Sequence, residues 1–418
     1  MIWNQYPLSL LTIEFINGGT PSTKISAYWD GDIPWITGAD VEDRYVSSAR
    51  KHINSDAVAN SSTHIVPKNA VLLVTRTGVG KVAKAGCDIA ISQDLTGIVL
   101  KKSIDPDYAI YAIQSKIKSL ARLQQGAIIK GLLRKDVEQL IVPLPAFSEQ
   151  LRIVEILDQA NSLREKRIEA DKIAEKILPA LFYKMFESTS IENKITIQEL
   201  LDKEYLIVHK DGNFGSMYPR ESDFGNEGVL FVTAKNVDEL GFVDFQDSPR
   251  LNQEKADTLP FGWIDNGDVV LAHNATVGRV GIIENATERM LIGTSLTCFR
   301  SDPHKLDPYY LLGALRSNQF QNQLFSVMKQ GTRNQVPITA QRRFNIVIPR
   351  IEDQIKFASQ IRTLRSVFRN KQSIRVKIDH LFSTILYRAF SGDLTTKWRE
   401  AHMKELMQEM EQQARELN

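Results

Sequence analysis

Polar side chains with chemical reach gather in short loops of this chain. In the first half these are residues 18–24, with Thr20, Ser22 and Lys24; 75–81, with Arg76, Thr77 and Lys81; and 124–130, closing on Lys130. In the second half, 233–236 carries Lys235 and Asn236, 273–279 carries His273, Asn274, Thr276 and Arg279, and 329–335 carries Lys329, Arg333 and Asn334. Arginine and lysine reach phosphates or guanine edges, whereas asparagine and glutamine match adenine. Loops of this kind could read a nucleic-acid duplex. Ordinary solvated turns have the same composition, so the loops alone do not decide the matter.

Signatures of catalysis fail on inspection. Thr75-Arg-Thr-Gly-Val-Gly-Lys-Val82 resembles a phosphate loop but lacks Gly at position 75 and Ser or Thr at 82. Asp307-Pro-Tyr-Tyr310 approaches the Asp-Pro-Pro-Tyr of amino-methyltransferases, without the second proline or a glycine-rich cofactor turn. The 7 histidines have no metal-ligand spacing, and Cys87 and Cys298 are too few for a disulfide framework or a cysteine-only zinc site. No nucleophile elbow is present. The expectation is a recognition or assembly protein with no catalytic residue and no metal or cofactor of its own.

The elements that must position the loops form a tandem repeat. Trp35-Ile-Thr-Gly-Ala-Asp-Val41 matches Phe231-Val-Thr-Ala-Lys-Asn-Val237, and Val79-Gly-Lys-Val82 matches Val277-Gly-Arg-Val280 at an offset of 198. Asp105-Pro106 recurs as Asp307-Pro308, and Gln125-Gly126 as Gln330-Gly331. Leu144-Pro145 with Glu149-Gln150 recurs as Ile348-Pro349 with Asp353-Gln354, opening a gap-free match at offset 204. The order of the matches is preserved, which argues for duplicated domains.

Within each repeat, apolar runs at 71–75, 96–100, 268–272 and 295–299 predict strands, while 106–120 and 308–325 predict helices opened by proline. A long helix follows. Its seam runs Ile153, Ile156, Ala160, Leu163, Arg167, Ala170, Ala174, Ile177, Leu181, and is repeated as Phe357, Gln360, Leu364, Val367, Lys371, Ile374, Ile378, Leu381, Ile385. Steps of three and four make a heptad pattern over a helix of roughly 55 Å. Each helix could pack on its own domain; the length of the seam favours packing of helix on helix. Connectivity then makes the pair antiparallel. The fold expected is α+β: two tandem mixed α/β domains separated by two long antiparallel coiled-coil helices, with pseudo-two-fold symmetry. Boundaries fall at 1–148, 149–188, 189–352 and 353–392, and a charged helical tail at 393–418 returns to the first domain. There, or on a partner, its loss should weaken assembly before folding.

With 418 residues, 43% apolar and 24% charged, the chain is long enough for two to three folding units. Its net charge of +2 creates no overwhelming field, so binding to a polyanion needs local charge or help from partners. No apolar run approaches the roughly 18 residues of a membrane span, and Met1-Ile-Trp-Asn-Gln-Tyr-Pro7 lacks a basic leader. A cytoplasmic location without membrane contact is expected.

Gly18-Gly-Thr-Pro-Ser22, Ile33-Pro-Trp-Ile-Thr37, Leu73-Val-Thr-Arg-Thr-Gly78, the Pro-x-x-x-Glu/Asp-Gln helix openings and Ala389-Phe-Ser-Gly-Asp-Leu-Thr-Thr-Lys-Trp-Arg399 resemble specificity subunits of type I restriction-modification enzymes over essentially the full length. In the second half only Lys210-Asp-Gly-Asn-Phe-Gly215 stands roughly where Gly18-Gly-Thr-Pro-Ser22 does. The resemblance implies a non-catalytic reader of double-stranded DNA, each domain taking one half of a split, asymmetric target in the major groove. It further implies helices that set the spacing and dock two methyltransferase subunits, through residues including Ile153, Leu163, Ile177, Leu181, Phe357, Leu364, Ile378 and Ile385. Motor-nuclease subunits would join that core. S-adenosylmethionine, ATP and Mg2+ would belong to the partners, and the reader would sit on the prokaryotic nucleoid when bound. An adaptor with two peptide-binding domains on a coiled coil, or a methyltransferase in its own right, would be the alternatives.

Overall fold

The computed structural model describes residues 3–123, 131–186, 194–246, 248–274, 276–329 and 335–417. The chain divides into two compact units, Met1–Glu165 with Val376–Asn418, and Lys166–Arg375. Each long helix is therefore shared, its first part belonging to one unit and its second part to the other.

In the first unit a five-stranded sheet runs in the order Thr12–Asn17, Leu95–Leu100, Val71–Val74, Val82–Ala85, Tyr45–Val46. The second unit repeats the first four places with Leu206–Asp211, Leu296–Ser301, Val269–Ala272 and Val280–Ile282. Register repeats too: Asn17 faces Thr96, and Asp211 faces Thr297. In each unit a second sheet contains one parallel pair, Ile33–Ile36 with Ile89–Ile91 and Val229–Val232 with Met290–Ile292. Central strands such as Val71–Val74 and Val269–Ala272 are buried throughout, as continuous apolar runs require.

The duplicated Asp-Pro and Gln motifs serve one purpose. Asp105 and Asp307 cap the helices Pro106–Leu123 and Pro308–Arg316, their Oδ1 atoms accepting the backbone N–H of Tyr108 at 2.9 Å and of Tyr309 at 2.8 Å. The Tyr108 hydroxyl then donates to the Pro143 carbonyl at 2.8 Å, and the Tyr310 hydroxyl donates to that of Val347. In the second unit the predicted single helix is broken at Ser317, and Asn318–Lys329 begins anew. The Ser317 hydroxyl donates to the Ala314 carbonyl at 2.7 Å and accepts from the Phe320 N–H at 3.3 Å.

The long helices are Phe147–Phe186 and Ile351–Ser391. In the first unit Ile153, Leu157 and Ala160 share a core with Phe382, Leu386 and Ala389. In the second, Leu178, Phe182 and Phe186 share one with Phe357 and Ile361. Early residues of one helix meet late residues of the other, so the pair is antiparallel. The strict seam needs correction. Leu163, Ala170, Gln360, Val367, Ile374 and Leu381 are exposed, and Ile177, Leu181, Leu364, Ile378 and Ile385 are half-buried, while Leu157, Leu178, Phe182, Ile361, Phe368 and Leu386 are buried instead. Each helix half packs on the sheet-and-helix core of its own unit as well as on its neighbour. That wider interface follows the 3.6-residue period rather than a two-helix heptad. Arg167 is half-buried and pairs with Asp171 one turn on; the side chain of its repeat partner Lys371 lies outside the described residues.

The tail folds into the first unit. Glu149, 1% exposed, accepts hydrogen bonds from Trp3 Nε1 at 3.0 Å, Arg399 Nε at 2.8 Å and the Thr395 hydroxyl at 2.6 Å. Leu406 is buried, and Gln413 donates to the Ser103 carbonyl at 3.0 Å.

Candidate nucleic-acid interface

Glycine geometry shapes the loops in both units. After strand Thr12–Asn17, a Cβ on Gly18 would lie 2.0 Å from the Ser92 carbonyl oxygen; after Leu206–Asp211, one on Gly212 would lie 2.2 Å from that of Ile292. Gly212 thus fills the place of Gly18, although the residues around it differ. The second shared turn is closer still. Val74 N–H donates to the Lys81 carbonyl at 2.9 Å and Gly80 N–H to that of Val74 at 3.0 Å. Ala272 and Gly278 make the same bonds to Arg279 and Ala272 at 2.8 and 2.9 Å. Gly80 and Gly278 have φ of +93° and +101°, a conformation that L side chains avoid.

In the first unit this geometry opens a cleft of about 1310 Å³, lined among others by Gly18, Arg76, Thr77, Lys81, Gln93, Thr96 and Arg134. The Leu132 N–H donates to the Thr75 carbonyl at 2.8 Å, which ties residues 131–134 to the turn. Arg76 is exposed and makes no ion pair among the described residues. Among the described residues Lys81 Nζ reaches the Gly38 carbonyl, at 3.4 Å. Arg134 pairs with Glu138 at 2.6 Å and lies 5.6 Å from the Phe15 ring. Thr20, Ser22, Lys24 and Thr77 are exposed on the adjoining loops.

The second unit uses several expected readers for its own structure. His273 is 1% exposed and shares a 2.9 Å hydrogen bond with the Thr297 hydroxyl, so it belongs to the interior. Asn236 Oδ1 accepts from the Thr233 N–H at 2.8 Å, and its amide donates to the Asp244 carbonyl and the Ser248 hydroxyl, both at 2.9 Å. That side chain holds the loop together. Arg279 pairs with Glu239 and donates to the Val237 carbonyl at 3.1 Å. Asn274 bridges to Gln335, while Thr276 and Lys235 are exposed. Lys130, Arg333, Asn334 and the Lys329 side chain lie outside the described residues.

A buried polar chain backs the second-unit loop. His209 shares a 3.3 Å contact with Gln341 Oε1, Gln341 Nε2 donates to the Thr297 hydroxyl at 3.0 Å, and Thr297 meets His273. Burial holds the His209 pKa down at about 4 and also lowers that of His273. Among the described residues no group of His, Cys, Asp or Glu could hold a metal ion, and no helix is long and apolar enough to cross a membrane.

Gln93 and Arg134 escaped sequence reasoning. Gln93 stands in Ser92-Gln-Asp94 between two strands, with neither a cation nor a glycine beside it to mark it, and strand pairing brings it to the cleft. Exposed apolar residues on the long helices recur by the repeat: Leu151 with Ile355, Leu163 with Val367, Tyr183 with Tyr387.

One sheet-and-turn frame built twice, with different side chains on matched loops, defines a two-module protein. The family described as type I restriction modification DNA specificity domain matches residues 9–177. The MjaIX specificity subunit of Methanocaldococcus jannaschii is 32% identical over 240 residues, 54% of this chain and 56% of that protein. The MjaVIII subunit of the same organism is 22% identical over 396 residues, 92% of this chain and 91% of its own. The EcoR124I/EcoR124II specificity subunit of Escherichia coli is 30% identical over 157 residues, 36% of this chain and 39% of that protein. The chain thus spans about half or less of the MjaIX and Escherichia coli relatives and nearly all of MjaVIII. Among solved structures, one from a type I restriction-modification system, studied for complex assembly and conformational transition, aligns over 94% of this chain and 98% of its own, with a TM-score of 0.54 at 16% identity. The fold is shared. Residues 9–177 thus match that family's model, and the chain is similar over most of its length to specificity subunits of type I restriction-modification enzymes.

Proposed function

We propose that this chain reads double-stranded DNA for a type I restriction-modification complex, each unit taking one half of a bipartite, asymmetric target. The observation that carries the reading is the pairing of matched glycine turns with unmatched side chains. Arg76 and Lys81 stand where Asn274 and Arg279 stand in the second unit. One frame with two different reading surfaces suits two different half-sites.

The exposed pairs Leu163/Val367 and Tyr183/Tyr387 are related by the repeat and would serve two copies of one partner, the methyltransferase subunit. Such subunits would supply S-adenosylmethionine chemistry on adenine, and motor-nuclease subunits would bring ATP and Mg2+. The small net charge of +2 is tolerable when partners also clamp phosphates. The site of action would be the cytoplasm, on the nucleoid.

Replacing residues 1–148 with a different recognition domain, followed by methylation mapping in the host, tests this reading. One half of the methylated sequence should change and the other stay. Simultaneous change of both halves would rule out two independent readers, and absence of any motif dependent on this chain would rule out DNA reading.

A further inference from the structure

Gln93 is an exposed amide lining the same cleft as Arg76, Lys81 and Arg134. Its orientation is set by a residue far away in the sequence, because the Thr20 hydroxyl donates to Gln93 Oε1. That bond depends on the Gly18-Gly19 pair. A Cβ on Gly18 would meet the Ser92 carbonyl oxygen at 2.0 Å, and one on Gly19 the Ser62 hydroxyl oxygen at 2.2 Å. Gly19 N–H donates to the Ile91 carbonyl at 3.0 Å, and Trp35 Nε1 donates to the Gly19 carbonyl at 3.1 Å. The segment is thereby pressed against the strand end, and Thr20 is carried to Gln93.

The product is an exposed amide held in one orientation. Its oxygen keeps a second lone pair, and its NH2 group makes no hydrogen bond among the described residues. An acceptor beside a donor, fixed in one plane, matches the N6–H and N7 of adenine in the major groove. Ordering the side chain before binding removes an entropy cost that a free glutamine would carry. Cations in the same cleft can hold the neighbouring phosphates.

We propose that Gln93, oriented by Thr20, reads an adenine edge in the half-site of the first unit. The assignment rests on the DNA-reading role above and names the base it reads. The second unit lacks the pair. Gly212 makes the matching approach to the backbone of Ile292 and Gly293, but buried Phe214 stands in the place of Thr20 and Thr294 in that of Gln93. The adenine contact belongs to one half-site only.

The test uses the full chain assembled with its methyltransferase subunits, a duplex library randomised across the target, and DNA affinity measured against salt. Gln93→Ala should relax one A·T pair in one half-site, with preference there falling about 5- to 150-fold. The other half-site and the salt slope should be unchanged. Thr20→Val should relax the same pair more weakly, because the amide remains but is no longer held. Both positions are exposed, so the variants should assemble normally. Wild-type preference at every position in both variants would overturn the assignment, as would an even loss across all sequences. A wild-type assembly with no preferred sequence would overturn the DNA-reading role itself.

Discussion

Gln354 occupies in the second unit the place that Gln150 holds in the first. Each side-chain oxygen accepts the backbone N–H of the helix-capping aspartate, Asp105 at 2.8 Å and Asp307 at 3.0 Å. Each amide donates to the proline carbonyl five residues before it, Pro145 at 3.0 Å and Pro349 at 2.9 Å. Both residues are fully buried, so the start of each long helix is locked to the domain that precedes it. Gln354→Ala should destabilise the chain by about 1–3 kcal/mol through an orphaned buried N–H. A denaturant midpoint unchanged from wild type would remove this lock.

Acid should loosen the second unit. Burial lowers the His209 pKa to about 4 in the folded chain, from an ordinary value near 6.5. The unfolded chain therefore binds the proton first, and this contribution to stability is complete above about pH 6.5. It is lost as pH falls towards 4, on the order of 2–3 kcal/mol. His209→Phe, which installs the residue of the matching position Phe15, should flatten the dependence of melting temperature on pH in that window.

Arg76 and Lys81 should carry salt-dependent affinity. Alanine at either should weaken all sequences evenly and reduce the salt slope by about one counterion. Arg279→Ala should act mainly on folding, since its guanidinium already holds Glu239 and the Val237 carbonyl. Titrations of DNA binding at several salt concentrations separate the two outcomes.

The tail should matter to folding first, which reverses the order expected from sequence. Removing residues 395–418 leaves Glu149 buried without Arg399, whose side chain is 9% exposed in the pair. Breaking a buried pair of this kind costs about 3–5 kcal/mol. A truncated chain with unchanged stability but weaker assembly would restore the original order.

Helix length should set target spacing. Four residues added near Ala170, with four near Ile374, lengthen both helices by about 6 Å. At about 3.4 Å per base pair, the gap between half-sites should grow by one or two base pairs while both half-sites stay the same. Methylation mapping of the double insertion reads this directly.

Duplication and chain order were legible in the sequence because they rest on local patterns, and the antiparallel pairing of the helices followed from connectivity. Asp105-Pro106 and Asp307-Pro308 open their helices from their own residues, Gly80 and Gly278 permit their turns from their own backbone, and a three-four spacing marks a helix stripe. Tertiary structure alone decided which side chains remain available. Lys81 and Arg279 are matched by the repeat, yet Glu239, 40 residues away, engages only the second. His273 looks like a reader in sequence and is buried, its ring bonded to Thr297, which Gln341 holds in turn. The buried stripe of each long helix likewise depends on the core that each half meets, which the heptad count could not register. Gln93 came into view only when strand pairing set it beside Thr20, 73 positions away. Local propensity travels with the residue; availability for a ligand is what remains after every distant neighbour has taken its share.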